Sequence, residues 1–176
     1  HGRHDDNWGA TALLRYAPSA NVDLEIGYAR KAQSPNIYER YTWGRGAMAS
    51  QMIGWYGDGN GYVDNLDLKP QRADTFSAAV EFKGDDKDGW RLKAAPFYTR
   101  VHDYIDARKI ADLTNMMGMP SGFVQLQFVN EEARFHGIDL SGEAPLLRDG
   151  TIGALRAKAA MSYVRGANLT DDGGLY

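Results

Sequence analysis

The sequence predicts an all-β chain, an antiparallel meander that forms part of a transmembrane β-barrel of the outer-membrane type. Three observations point there. Apolar and polar residues alternate with period two in several separate segments, the mark of strands that show different faces to different surroundings. The connections between these segments alternate short and long. The polar faces carry many charges, while the apolar faces end in aromatic rings.

The strands are expected near residues 8–17, 22–34, 73–84, 90–106, 122–147 and 151–166. In the first, Ala10, Ala12, Leu14 and Tyr16 oppose Thr11 and Arg15. In the second, Val22, Leu24, Ile26 and Tyr28 oppose Asp23, Glu25, Gly27 and Lys31. The third sets Phe76, Ala78, Val80 and Phe82 against Thr75, Ser77, Glu81 and Lys83. The fourth sets Trp90, Leu92, Ala94, Pro96 and Tyr98 against Arg91, Lys93 and Thr99. In the fifth, Ile138, Leu140, Ala144 and Leu146 face away from Asp139, Ser141 and Glu143. The sixth sets Leu155, Ala157, Ala159, Met161 and Tyr163 against Arg156, Lys158 and Ser162.

Short connections fall at Ala17–Asn21, Gly84–Gly89 and Leu147–Gly150, and long ones at about Ser34–Ala73 and Asp106–Gly122. Membrane barrels show this asymmetry, with tight periplasmic turns and large extracellular loops. It directs the strand ending at Tyr16 toward the periplasm and the one starting at Val22 outward. Alternation alone also fits a soluble sandwich, whose inner face packs on a core. Three details favour the barrel. Each apolar face holds about five residues, which suits strands of about 9–11 residues crossing a bilayer. The opposite faces are charged as a hydrated lumen permits. Tyr16, Phe82 and Trp90 at the short-turn end, and Phe76, Tyr98 and Tyr163 toward the long-loop end, are placed as interfacial girdles would be. The segment 122–147 is too long for the bilayer alone. Asn130, Glu132 and Arg134 lie on its lipid-facing phase and are therefore expected beyond the hydrocarbon.

Composition narrows the function. The formal charge of −3, with Lys and Arg dispersed, argues against nucleic acid, which needs a concentrated basic face. With no cysteine there is neither a disulfide framework nor a thiolate metal site. No stretch approaches the roughly 18 apolar residues of a transmembrane helix. Both ends read as cuts. His1–Asn7 holds no signal peptide, and the last residues stop in a loop-like stretch, so residues 1–176 are expected to be a fragment.

Four segments carry a resemblance to a known family. Ala29-Arg-Lys-Ala-Gln-Ser-Pro-Asn-Ile-Tyr-Glu-Arg-Tyr41 contains a Ser-Pro-Asn-x-Tyr-Glu sequence at a strand end. Asn65-Leu-Asp-Leu-Lys-Pro70 precedes Arg72-Ala-Asp-Thr75, with Gln71 where the pattern usually has Glu. Phe97–Ile105 and Phe128–Glu143 follow in order. In this order and spacing they resemble the barrel of TonB-dependent outer-membrane receptors, most closely the copper-receptor branch. The resemblance implies about six strands of a barrel of about 22 around a plugged lumen. The plug and the segment that binds TonB would lie outside this chain. It implies energy-coupled uptake of a scarce nutrient, a metal chelate, siderophore or copper, in the outer membrane of a Gram-negative cell. The partners are then outer-membrane lipid, the TonB complex and the small-molecule or metal substrate. A passive porin-like or structural barrel is the alternative.

Five of the six methionines lie in the long connections: Met48 and Met52, spaced i, i+4, and Met116, Met117 and Met119. Thioether sulfur is a soft ligand suited to copper(I), and these five are the candidate metal site, with copper as transported substrate and no resident cofactor. Methionine also fills irregular apolar gaps, which is the plainer reading. Trp55–Tyr62 offers Asp58 and Asn60 as oxygen ligands, with Asp64 just beyond it, but no bidentate Glu follows at calcium-loop spacing, so a glycine-rich turn is expected. His102 and His136 read as polar strand residues, and Asp103–Tyr104 and Glu131–Glu132 as solvated rim positions. No nucleophile–base pairing, phosphate loop or carboxylate pair suggests an enzyme.

Overall fold

A computed structural model describes residues 4–45, 59–85, 89–147 and 153–170. The elements are β1 (Ala10–Ser19), β2 (Val22–Gln33), α1 (Ile37–Tyr41), β3 (Gly61–Val63), β4 (Gln71–Lys83), β5 (Arg91–Thr114), β6 (Pro120–Leu147) and β7 (Leu155–Asn168). One sheet runs β1-β2-β4-β5-β6, and both β3 and β7 pair with β6. The expected antiparallel all-β fold is present, and each expected strand has its counterpart.

The register keeps like residues together. Between β1 and β2, Leu14 sits across from Ile26 and Tyr16 across from Leu24, while Arg15 meets Glu25. Between β6 and β7, Ile138 pairs with Tyr163 and Leu140 with Met161, while Asp139 meets Ser162 and Glu143 meets Lys158. Contacts between β2 and β4 run Gln33–Gln71, Arg30–Asp74 and Asp23–Lys83, rising in one strand as they fall in the other. A slip of one residue would turn every apolar side chain to the charged face, so the alternation fixes this register.

Two expectations need correction. The span 106–122 is not a long irregular loop: β5 and β6, 24 and 28 residues long, extend into it from either side, and only Asn115–Met119 turn the chain. Nor is the order a pure meander. β3, inside the long connection after β2, runs parallel to β6 with Gly61, Tyr62 and Val63 level with Gln125, Leu126 and Gln127. The outer part of β5 hides its strand nature because Lys109, Ile110, Ala111 and Asp112 show no clean alternation.

The chain divides into two compact units. One comprises residues 8–31, 73–100 and 133–176 and holds the two-faced strand pairs just described. Its large apolar side chains are mostly exposed, among them Leu14, Tyr16, Ile26, Phe76, Met161 and Tyr163. The other comprises residues 1–7, 32–72 and 101–132 and has a packed core of Tyr62, Leu68, Ile105, Leu126 and Phe128. The rings of Tyr62 and Phe128 stack there at 6.2 Å between centroids.

Side chains that replace missing ladder bonds lock this second unit. Asn36 caps α1: its side chain accepts from Glu39 N at 2.8 Å, and the Glu39 carboxylate accepts from Asn36 N at 2.8 Å. Both orphan amides of the helix start are thus satisfied. Buried Arg40 donates to Asp5 at 2.9 Å and to the Leu68 carbonyl at 3.0 Å. Asn65 donates to the Phe128 carbonyl, and its own oxygen accepts from Asp67 N. Asn130 binds three ways, accepting from Lys69 N at 2.8 Å and donating to the carbonyls of Lys69 at 3.0 Å and Asp103 at 2.8 Å. That last contact holds Asp103 in the left-handed region at φ 54, which Asp tolerates better than most residues. Replacing Asn130 by leucine removes all three bonds, leaving the exposed Lys69 groups to water and the half-buried Asp103 carbonyl short of a donor, and a loss of about 1–3 kcal/mol is expected. Faster hydrogen exchange at the Lys69 amide, with the β6–β7 ladder unchanged, would be the measured result.

Candidate functional site

The charged face of the first unit is the natural place to look for polar chemistry, and its ions neutralise one another in clusters. Glu25 takes Arg15 at 3.0 Å and Lys93 at 3.6 Å. Asp23 pairs with Lys83. Glu143 stands among Lys158 at 3.4 Å, Arg156 at 3.7 Å and Arg91 at 3.8 Å. A groove of about 500 Å³ opens here, lined by Glu81, Arg91, Lys93, Ser141, Glu143 and Lys158. Single exposed pairs contribute little, but a connected set over several strands makes a hydrated wall of mixed sign.

Corrections follow for the polar residues of the second unit. Glu131 is not a solvated rim charge. It is 5% exposed and accepts from Arg108 at 2.6 Å. Burial raises the pKa of nearby Asp106; the Ala107 N–H opposes that shift and Glu131 adds to it. Its ionisation therefore opposes folding as pH rises above the ordinary carboxylate range. Glu132 contacts His102 Nδ1 at 3.0 Å, so that histidine is a strand residue with a carboxylate neighbour. Asn60 accepts from Val124 N, a structural use of a side chain considered above as a calcium ligand. Among the described residues no three His, Asp or Glu side chains converge as a metal site would require.

The candidate methionines divide. Met48 and Met52 lie outside the described residues. Met116, Met117 and Met119 form the tip of the β5–β6 hairpin and are 109%, 83% and 55% exposed. Asn115 builds that tip: its side-chain oxygen accepts from Met117 N at 2.9 Å and Met119 N at 3.1 Å, and its own N–H donates to the Met119 carbonyl at 2.8 Å. Gly118, at φ 77, supplies the left-handed position of the turn. Met116 and Met117 fill no apolar gap among the described residues; a fixed backbone presents their thioethers to solvent.

The family model for the TonB-dependent receptor-like β-barrel matches residues 1–175. The chain belongs to that family. Its members are receptors and transporters of the Gram-negative outer membrane, not enzymes. A comparison with curated sequences found no match. Among solved structures, the siderophore receptor PirA from Pseudomonas aeruginosa aligns at TM-score 0.68 and 20% identity, over 92% of this chain and 28% of that one. The copper transporter OprC aligns at 0.64 and 21%, over 94% and 21%. The FrpB iron transporter from Neisseria meningitidis aligns at 0.55 and 14%, over 91% and 20%. These likenesses show the fold, and the chain spans between a fifth and about a quarter of each structure's length.

The segments that carried the resemblance prove structural. Asn36 and Glu39 are the capping box, Asn65 and Leu68 anchor the returning connection, and Pro70 stands just before β4. Sequence reasoning missed Asp5, Arg40 and Asn130 as the locks of this unit. The Asn-x-x-Glu spacing before a short helix was a signal that could have found the cap.

Proposed function

We propose that this chain is a wall segment of an outer-membrane receptor that imports a scarce metal, as a chelate or as copper, with energy delivered through TonB. The observation that carries the reading is the two-faced strand set, apolar on one face and ion-paired on the other, in a chain of this family. In this reading the apolar face meets lipid and the ion-paired face lines the lumen. The plug and the TonB-binding segment belong to other parts of the protein. Deleting the gene should lower metal accumulation when the nutrient is scarce, and restoring it without TonB should not rescue uptake. Rescue without TonB would instead indicate a passive barrel.

Copper is the finer proposal, and the methionines support it. Soft thioethers bind copper(I) in preference to hard cations. Replacing Met48 and Met52 by leucine in the full-length receptor nearly conserves volume and hydrophobicity. Copper accumulation should fall several-fold while barrel assembly is unchanged, and replacing Met116, Met117 and Met119 should add to the loss. Unchanged copper binding by the five-site variant would leave siderophore or another chelate as substrate.

A further inference from the structure

The hairpin tip between β5 and β6 is held by its backbone and by Asn115, not by its methionines. The Gly118 N–H donates to the Asn115 carbonyl at 3.0 Å, and the Asn115 side chain accepts from the amides of Met117 and Met119. Among the described residues, no methionine belongs to the packed core of this unit, which is Tyr62, Leu68, Ile105, Leu126 and Phe128. The side chains of Met116 and Met117 stand almost wholly in solvent. Changing the chemistry of these two thioethers therefore leaves the turn and the core in place.

One such change is open to them. Oxidation of a thioether requires the oxidant to reach the sulfur, so exposure governs it. Met161 is the natural comparison. It sits across from Leu140 on the apolar face of β6 and β7, which meets lipid in the reading above. Water-borne peroxide reaches Met116 and Met117 freely and a lipid-covered Met161 poorly. In the reaction one peroxide oxygen bonds to sulfur as the O–O bond breaks. Sulfur gives up two electrons, and the other oxygen takes them and leaves with both protons as water. The product is methionine sulfoxide, polar and little larger than methionine, which a solvated turn accepts. Its effect falls on metal binding. A thioether offers copper(I) a soft sulfur, whereas a sulfoxide presents a hard oxygen.

We propose that Met116 and Met117 are an oxidation site that switches copper(I) binding off when peroxide is present. The proposal rests on the copper reading above. The two residues are adjacent and equally open, so both donors are lost under the same conditions. Losing a group one shell out from a metal costs about 10–100-fold in affinity, so losing two direct donors should cost at least about tenfold. Methionine sulfoxide reductases, one for each sulfoxide epimer, reverse the step.

The test uses the full-length receptor in phosphatidylcholine nanodiscs, treated with hydrogen peroxide that is then removed. Peptide mass spectrometry counts sulfoxide at each methionine, and anaerobic competition with a copper(I) chelator gives the affinity. Met116 and Met117 should convert at least about tenfold faster than Met161. Copper(I) affinity should fall at least about tenfold in step with them, and both reductases together should restore it. Resistance to SDS before boiling should not change, which separates lost donors from a lost fold. Met116→Leu with Met117→Leu keeps the bulk of the turn, and at the same peroxide dose its remaining affinity should stay constant. Equal oxidation rates at the tip and at Met161, an undiminished peroxide response in the leucine variant, or copper loss that tracks SDS sensitivity overturns the proposal. Tight binding that survives conversion of both residues overturns it while leaving the copper reading standing. A reduced receptor that binds no copper(I) refutes both.

Discussion

Gly137→Ala should prevent β6 and β7 from pairing and cut folded receptor to a small fraction of wild type. A Cβ at Gly137 runs into the Tyr163 carbonyl oxygen and comes within 2.9 Å of the Phe97 ring. Phe97 could move, since the atoms met are the far end of a side chain that can turn. Tyr163 cannot, because its carbonyl belongs to the β7 backbone, aligned with β6 over Ala133–Leu147. Ordinary overpacking costs about 1–3 kcal/mol, and a clash with backbone should exceed it. The matched control lies on the same strand. At Gly142 the added atom meets its nearest neighbours, the Arg91 oxygen and a Leu92 methyl, at 3.6 Å, an ordinary contact. Gly142→Ala should therefore assemble like wild type. The measurement is the share of protein that resists SDS until boiled, compared for the two variants. Equal assembly would mean that glycine at 137 is incidental.

What could be read from the sequence follows from one physical fact. Where two faces meet different solvents, the side chains must alternate, and the alternation is visible without a structure. That made Leu14, Ile26, Leu140 and Met161 legible as one face and Arg15, Glu25, Glu143 and Lys158 as the other. Nothing comparable marks the second unit. Its core draws Leu126 and Phe128 from β6, Ile105 from β5 and Leu68 from a connection, so no segment carries the whole pattern. Residues 106–114 form a strand because β6 pairs with them, not because of their own order of polar and apolar residues. The parallel contact of β3 joins positions about 64 apart in sequence, beyond the reach of any local signal. The metal question divided in the same way. Asn115 and Gly118 build a tight turn where a long loop was expected, and a methionine's exposure depends on what packs beside it. Three methionines in four residues therefore read more plainly as filler than as ligands, and only the placed tip shows how exposed they are.

The two faces of β6 also make the membrane reading testable in one pair of variants. Leu140→Arg should impair assembly strongly, whereas Ser141→Arg should be tolerated. Leu140 lies across from Met161, and the same phase carries Ile138, Tyr163 and Leu146. An arginine near the middle of this face would have to bring a guanidinium into hydrocarbon, at a cost of about 2–4 kcal/mol at the bilayer midplane. Ser141, the next residue, points the other way into the groove shared with Glu81 and Glu143. There an added cation stays exposed on a polar face that already holds Arg91, Lys93 and Lys158 beside the two carboxylates, so its desolvation is small. A water-soluble sandwich with this apolar face as its core would also reject Leu140→Arg. The environment of the assembled protein separates the cases. Receptor inserted in bilayers thinner than the native one should accept Leu140→Arg better, because a guanidinium reaches the interface sooner, while a dry protein core would be indifferent to bilayer thickness. Comparable SDS-resistant fractions for the two variants in every bilayer would overturn the assignment of faces. A deficit for Leu140→Arg that shrinks with thickness would locate the residue in lipid.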